Sequence, residues 1–137
     1  MSVLPVLVVD DNEFIRASMV KFLETNKYIV VGATNGTDAM DKLRHTHFGM
    51  VITDVLMPET DGFDLVDFIR ESDEPTKSTP VIAISGGGRT IDADAALAAL
   101  EEKVNLILKK PFSKKELLDQ VANHVRKSTD EVFFVEN

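Results

Sequence analysis

The chain contains no cysteine and no tryptophan, and it has only one tyrosine among its 137 residues. Without cysteine it can form no disulfide, use no thiol as a nucleophile and build no cysteine-based metal site. The lack of disulfides suits a reducing cytoplasm, where we expect the protein to act. No apolar stretch approaches the roughly 20 residues that a spanning helix needs, and no signal segment is visible at the amino terminus. We therefore expect no membrane insertion.

Positive charge is also scarce, with 15 lysine and arginine residues against 23 aspartate and glutamate residues. The formal net charge is −8 at pH 7. Domains that bind nucleic acid directly carry a basic face, so we expect no direct contact with nucleic acid. An acidic surface fits a protein that meets other proteins or binds cations.

Five short apolar runs recur along the chain, and helical segments alternate with them. Strands that are apolar throughout are typical of a parallel sheet covered on both faces. Short connections and right-handed crossovers then predict a doubly wound α/β domain with five helices. The predicted strands are Val6–Val9, Ile29–Ala33, Met50–Thr53, Val81–Ile84 and Leu106–Leu108.

The later helices have their own sequence signals. An alanine-rich segment over roughly 91–102 predicts the fourth helix. Ser113 and Glu116 have the spacing of a capping box, which predicts the start of the fifth helix.

Polar residues stand at or just past the carboxyl ends of four apolar runs, namely Asp10, Asp11, Asp54, Ser85 and Lys110. The carboxyl ends of parallel strands meet at one edge of a sheet, where functional residues collect. Three carboxylates in one crevice repel one another, and a divalent cation removes the conflict. Oxygen ligands without histidine or cysteine favour Mg²⁺. Taken alone, however, Asp10 and Asp11 would simply be a turn beside a helix N-cap.

Four segments together resemble the receiver domain of two-component response regulators. They are VLVVDDNE, VITDVLMPETDG, VIAISGGG and LILKKPF, in this order and at the family's spacing. The resemblance covers roughly residues 4–127. It implies a flavodoxin-like fold, with a five-stranded parallel sheet in the order 2-1-3-4-5. It also divides the chain into a receiver domain over residues 1–127 and a short acidic tail over residues 128–137.

The resemblance implies a role for each acid. Asp54 is expected to be the phosphoacceptor, a carboxylate that attacks phosphorus and holds an acyl phosphate. Asp11 and Asp54 would ligate Mg²⁺ directly, and Asp10 would act mainly through a bound water. The backbone carbonyl of Leu56 would supply another oxygen.

The resemblance also implies the switch residues. Lys110 is the expected cation because it directly precedes Pro111, and that peptide bond is expected to be cis. The Ser85 hydroxyl would donate to a phosphoryl oxygen. Ile107 stands where many receivers carry an aromatic ring that swings inward, and its small, stiff side chain cannot make that movement. Either the glycines at 86–88 reorder instead, or they form only a permissive turn.

The implied function is a signalling switch that accepts a phosphoryl group from a histidine kinase or a phosphotransfer protein. The switch would then alter its binding to a downstream protein, as a monomer or a phosphorylation-dependent dimer. It would catalyse only its own phosphorylation and dephosphorylation. We expect the partner surface on the fourth helix, fifth strand and fifth helix. Phe68 on the third helix is either a rival contact or part of the core.

Two other functions stay open. A phosphatase with an aspartyl nucleophile usually has a second aspartate two residues later, where this chain has Leu56. A flavin-binding protein of the same fold needs a phosphate loop after the first strand, where this chain has acidic residues. We also expect a stand-alone receiver rather than a fragment of a longer protein.

Overall fold

The computed structural model describes residues 3–55, 62–86 and 98–128. Its five strands form a parallel sheet in the order β2-β1-β3-β4-β5, as predicted. The last three strands each extend one residue further than the apolar pattern indicated, and the second starts one residue later. The strands are β1 (Val6–Val9), β2 (Val30–Ala33), β3 (Met50–Asp54), β4 (Val81–Ser85) and β5 (Leu106–Lys109).

Helices follow the strands in turn, and side-chain caps start several of them. Asn12 caps the first helix through the Ile15 amide, at 3.0 Å, and Asn35 caps the second through the Asp38 amide, at 2.8 Å. The Ser113 capping box is present at the last helix. The helices are α1 (Glu13–Thr25), α2 (Gly36–His45), α3 (Gly62–Glu71), α4 (described over 98–101) and α5 (Lys114–His124), with a short 3₁₀ turn at Thr76–Ser78. The rest of the predicted fourth helix lies mostly outside the described residues.

Alternate side chains of the central strands enter two separate cores. Leu7 and Val9 pack on one face of the sheet with side chains from α2 and α3. Val6 and Val8 pack on the other face with side chains from α1 and α5. The sheet is therefore the middle of three layers, as a doubly wound fold requires.

Phe68 belongs to the first of these cores rather than to a free surface. Its ring is half-buried against that core. The Arg44 guanidinium lies 5.1 Å from the ring centroid, within cation–π range. This environment favours the packing role over the rival contact surface on α3.

The two ends of the described chain are fastened together at the amino-terminal edge of the sheet. Val3 and Lys127 form an antiparallel bridge. The Leu4 amide donates to the Arg126 carbonyl at 3.1 Å, and the Arg126 amide donates to the Gly49 carbonyl at 2.9 Å. The functional residues stand at the opposite, carboxyl edge. Within the described ranges, no helix is long and apolar enough to cross a bilayer.

Candidate functional site

Three carboxylates meet where β1 and β3 end side by side. Asp10 and Asp11 directly follow β1, and Asp54 is the last residue of β3. One oxygen from each lies within 4.8 Å of the other two. β1 is paired with β2 on one side and with β3 on the other, so the acids border the point where the strand order reverses. Open α/β sheets bind their ligands in this crevice.

Asp10 is the acid most removed from water, with 3% of its surface exposed. Its amide donates to the Ala33 carbonyl at 3.2 Å, and its carboxylate accepts the Asn12 amide at 2.9 Å. Burial raises the pKa of Asp10, and the charges of Asp54 and Asp11 raise it further, against the Asn12 amide and Lys110. The ionised form of Asp10 is therefore less favourable in the metal-free site than in water.

Arg16, which the sequence reasoning missed, contacts the backbone of this acidic turn. Its Nη1 donates to the Asp10 carbonyl oxygen at 2.8 Å. Its aliphatic stem crosses Gly32 on β2, where a Cβ would stand 3.3 Å from the Arg16 Cδ. No local sequence pattern marks Arg16, because the direction of its side chain depends on how α1 leaves β1.

Lys110 reaches Asp54 from the end of β5. Its Nζ lies 3.9 Å from the Asp54 Oδ2, and its side chain is 36% exposed against 17% for Asp54. The Lys110 amide donates to the Ser85 carbonyl at 2.8 Å, which joins the ends of β4 and β5. The Lys110–Pro111 peptide is cis, as predicted. Lys109 instead lines a surface hollow shared with Ile107 and Glu101.

Ser85 and Ile107 lie on neighbouring strands, β4 and β5, at different positions along them. Ser85 is buried at the end of β4, and its hydroxyl donates to the Gly86 carbonyl at 3.2 Å. Ile107 pairs with Ala83 across β4 and β5 and is half-buried against the core. Leu56 lies outside the described residues, as do Gly87 and Gly88 of the glycine run. Their predicted roles stay predictions.

Gly62 permits the start of α3 to pass close beneath Asp54. A Cβ at this position would stand 2.5 Å from the Asp54 carbonyl oxygen and 2.9 Å from the Val55 Cα. The Gly62 amide donates to the Val55 carbonyl at 2.8 Å. The start of α3 therefore packs directly against the backbone of Asp54 and Val55, and only glycine is small enough at this contact.

The donor set suits a hard divalent cation. All three clustered side chains offer carboxylate oxygens, the ligands that Mg²⁺ prefers. The raised pKa of Asp10 reflects burial and repulsion that a bound cation would offset. The residues present thus fit Mg²⁺.

Comparison with known proteins identifies the same family as the sequence motifs. The family model of the response regulator receiver domain matches residues 6–122. The protein PilG of Pseudomonas aeruginosa is 34% identical over 123 residues, which cover 89% of this chain and 87% of PilG. The transcriptional regulatory protein ResD of Bacillus subtilis is 30% identical over 132 residues, which cover 96% of this chain and 52% of ResD. The chain thus spans about half of ResD.

Solved structures have the same fold as this chain. A putative response regulator from Chloroflexus aurantiacus superposes with a TM-score of 0.77 at 29% identity, over 89% of this chain and 97% of that one. The chemotaxis protein CheY4 of Vibrio cholerae superposes with a TM-score of 0.76 at 26% identity, over 90% of this chain and 100% of that one.

Proposed function

Because this chain belongs to the response regulator receiver domain family, it is a signalling switch of two-component systems, and we propose that Asp54 is its phosphoacceptor. The observation that carries this assignment is the position of the Asp54 carboxylate. One of its oxygens lies within 4.8 Å of oxygens of Asp10 and Asp11, and its Oδ2 lies 3.9 Å from the Lys110 Nζ. A nucleophilic oxygen, a cation site and a fixed positive charge are thus adjacent, which is what phosphoryl transfer needs.

Mg²⁺ would be held by Asp11 and Asp54, with Asp10 acting through water and the Leu56 carbonyl as a further oxygen. When bound, the ion supplies positive charge to the oxygens of the transferring phosphoryl group. Asp54 attacks phosphorus, so a P–O bond forms on its carboxylate while the bond from phosphorus to the donor breaks. Lys110 would pair with the new phosphoryl oxygens. After phosphorylation, the Ser85 hydroxyl would donate its hydrogen bond to a phosphoryl oxygen instead of to the Gly86 carbonyl.

The donor is proposed to be a histidine kinase or a phosphotransfer protein, as for receiver domains in general. The reaction modifies the protein itself, so it is a switch with autophosphorylation and dephosphorylation rather than a turnover enzyme. Its downstream target would be a protein that contacts α4, β5 and α5, where Ile107 and Lys109 line a hollow. We place the switch in the cytoplasm, as a monomer that can dimerise on phosphorylation.

The phosphatase and flavin-binding hypotheses are not favoured. The receiver-family match extends from β1 almost to the end of α5. The turn after β1, where a flavin phosphate would bind, carries the buried carboxylate of Asp10. That carboxylate would repel a phosphate group in the absence of a metal ion.

Intact-mass measurement tests the phosphoacceptor. The full chain is incubated with Mg²⁺ and a small acyl phosphate, and the gain of one phosphoryl group is expected. Asp54→Asn should gain none, whereas Asp41→Asn, which changes an exposed acid on α2, should behave like the wild type. Phosphoryl label retained in Asp54→Asn would contradict the assignment, and so would a gain that does not require Mg²⁺.

A further inference from the structure

We propose that Arg16 is a positioning residue for the acid cluster, because it fixes the peptide that joins Asp10 to Asp11. The proposal rests on the proposed function, since it concerns how the same carboxylates are presented to the cation. Arg16 is not expected to touch the cation or the phosphoryl group. Its role would be to hold the backbone that carries two of the three acids.

Within the described part of the chain, three polar groups of Asp10 each have a different hydrogen-bond partner. The Asp10 amide is tied to β2 through the Ala33 carbonyl at 3.2 Å, and its carboxylate is tied to the Asn12 amide at 2.9 Å. These contacts fix the amide and the carboxylate of Asp10. The Asp10 carbonyl oxygen lies in the peptide plane shared with Asp11, and it accepts from Arg16 Nη1 at 2.8 Å. Because a peptide unit is planar, fixing this carbonyl also fixes the nitrogen from which Asp11 departs.

Asp11 depends on this restraint more than Asp10 does. Asp10 is buried, whereas Asp11 is exposed. An exposed carboxylate relies on its backbone for its direction. A charge-assisted hydrogen bond is among the stronger restraints that a side chain can place on a carbonyl.

The path of the Arg16 side chain is itself defined. Arg16 lies on the first turn of α1, and its amide donates to the Asn12 carbonyl at 2.9 Å. Its stem runs across Gly32, where an added Cβ would stand 3.3 Å from Cδ and 3.4 Å from Cγ. The absence of a side chain at Gly32 leaves the groove through which the guanidinium reaches the turn. Residues of α1, of β2 and of the turn after β1 therefore together define the position of this hydrogen bond.

The test compares Arg16→Met, which removes the donor and keeps most of the stem, with Arg16→Lys, which keeps a cationic donor. Lys21→Met is the matched control, since it removes an equal charge from an exposed position on α1. The first readout is the carbonyl ¹³C chemical shift of Asp10 in the metal-free full chain. The second is the dissociation constant for Mg²⁺ alone, measured well below the unfolding temperature of each variant.

Arg16→Met should move the Asp10 carbonyl resonance upfield and weaken Mg²⁺ binding by about tenfold, the lower range for groups that orient metal ligands. Arg16→Lys should recover part of both changes, and Lys21→Met should leave both within error. The tenfold ratio should persist in 1 M KCl, where the Debye length is about 3 Å. An unchanged carbonyl shift in Arg16→Met, an equal loss in Lys21→Met or a ratio that vanishes in salt would overturn the proposal.

The two proposals can fail separately. If the wild type takes no phosphoryl group although Arg16→Met shifts the carbonyl and weakens Mg²⁺ binding, the phosphoacceptor assignment fails and the positioning role stands. If the wild type is phosphorylated and Arg16→Met binds Mg²⁺ normally, the positioning role alone fails.

Discussion

Asp10 makes the metal-free site a source of instability. A carboxyl whose pKa is raised in the folded state binds its proton more tightly there than in the unfolded chain. Ionising it at neutral pH therefore lowers the free energy of unfolding, and this loss sets in as the pH rises above the ordinary value of 3.8. The burial and repulsion that destabilise the metal-free site also favour the binding of a cation.

We predict that Asp10→Asn raises the free energy of unfolding in EDTA at neutral pH. Asparagine removes the buried charge, and its carbonyl can still accept the Asn12 amide. The same change should reduce the stabilisation that saturating Mg²⁺ gives the wild type, which is about 2.7 kcal/mol at 100 times the dissociation constant. Urea unfolding with and without Mg²⁺ measures both effects. A less stable Asp10→Asn protein in EDTA would contradict this account of the cluster.

Lys110→Ala should leave Mg²⁺ affinity nearly intact while weakening the response to phosphorylation. The proposed ligands are all oxygens, and Lys110 is a neighbouring positive charge that contributes none. Mg²⁺ titration and chemical-shift changes on phosphorylation test the two halves of this statement. Loss of Mg²⁺ affinity in Lys110→Ala would mean that the division of roles is wrong.

Gly62→Ala should destabilise the fold by about 1–3 kcal/mol, the usual range for overpacking. The added Cβ would meet backbone atoms of Asp54 and Val55, which cannot rotate away as a side chain could. Gly86→Ala is the matched control, because its Cβ would meet nothing within 4 Å among the described residues. Its effect should be about 0.5 kcal/mol or less. Equal effects of the two substitutions in denaturant unfolding would rule out the backbone clash as the cause.

The acids could be predicted from sequence because each lies at or just past the end of an apolar run, and the receiver-domain resemblance favours Lys110 over Lys109 because Lys110 precedes Pro111. The contacts of Arg16 and Gly62 could not be predicted. Their importance depends on which backbone atoms approach them after the chain has crossed to another element, and no local pattern records that approach. The environment of Phe68 was undecided for the same reason.

At the scale of elements, the order of strands and helices followed from alternation of apolar runs and helical periodicity. The boundaries at the functional edge were less accurate, by one residue in β3, β4 and β5. The hydrophobic pattern does not mark the last residue of these strands because that residue is polar, whereas the sheet pairing continues onto Asp54, Ser85 and Lys109. Strand ends that carry chemistry therefore look too short when they are judged by hydrophobicity alone.

The capping box of α5 should contribute measurably to stability. The Ser113 hydroxyl accepts the Glu116 amide at 3.0 Å, and the Glu116 carboxylate accepts the Ser113 amide at 3.3 Å. Ser113→Ala should lower the free energy of unfolding by about 1 kcal/mol, as for other N-cap losses. Ser18→Ala, at an exposed site within α1, should be neutral or slightly stabilising because alanine favours helix. A similar loss in both variants, measured by urea unfolding, would show that the cap adds nothing specific.

At the scale of the whole molecule, Arg126 links several segments at the amino-terminal edge of the sheet. The Arg126 guanidinium donates to the carbonyls of Pro75 and Phe48 and to the Thr79 hydroxyl, at 3.0–3.2 Å. It also meets the His47 Nε2 at 2.9 Å. That nitrogen can accept only while the ring is neutral, so this end of the fold is sensitive to protonation.

The pKa of His47 is lowered from 6.5, first by burial and then by the charge of Arg126. The unfolded chain therefore binds this proton more tightly than the fold does. The stabilisation from His47 is complete above pH 6.5 and is lost as the pH falls through the lower folded-state value. Arg70 also faces this region and disfavours added positive charge, whereas Glu74 partly compensates it.

We predict that His47→Gln loses less unfolding free energy than the wild type between about pH 7.5 and pH 5.5, a range that spans the ordinary histidine pKa. Glutamine offers an acceptor that does not titrate. His45→Gln is the control, since His45 is exposed on α2. Parallel pH curves for His47→Gln and the wild type would exclude His47 as the titrating group.

The bridge between Val3 and Lys127 has a consequence for protein engineering. Antiparallel bridge partners lie about 5 Å apart. The two ends of the described domain, at Val3 and Lys127, are therefore close together in space. A surface loop of a host protein could open by little more than a strand spacing and accept the whole domain as an insert. The acid cluster would then face outward from the host, at the far edge of the sheet. The domain could therefore be grafted as a phosphorylation-responsive cassette within another chain, without passing either junction near Asp54, the proposed phosphoacceptor.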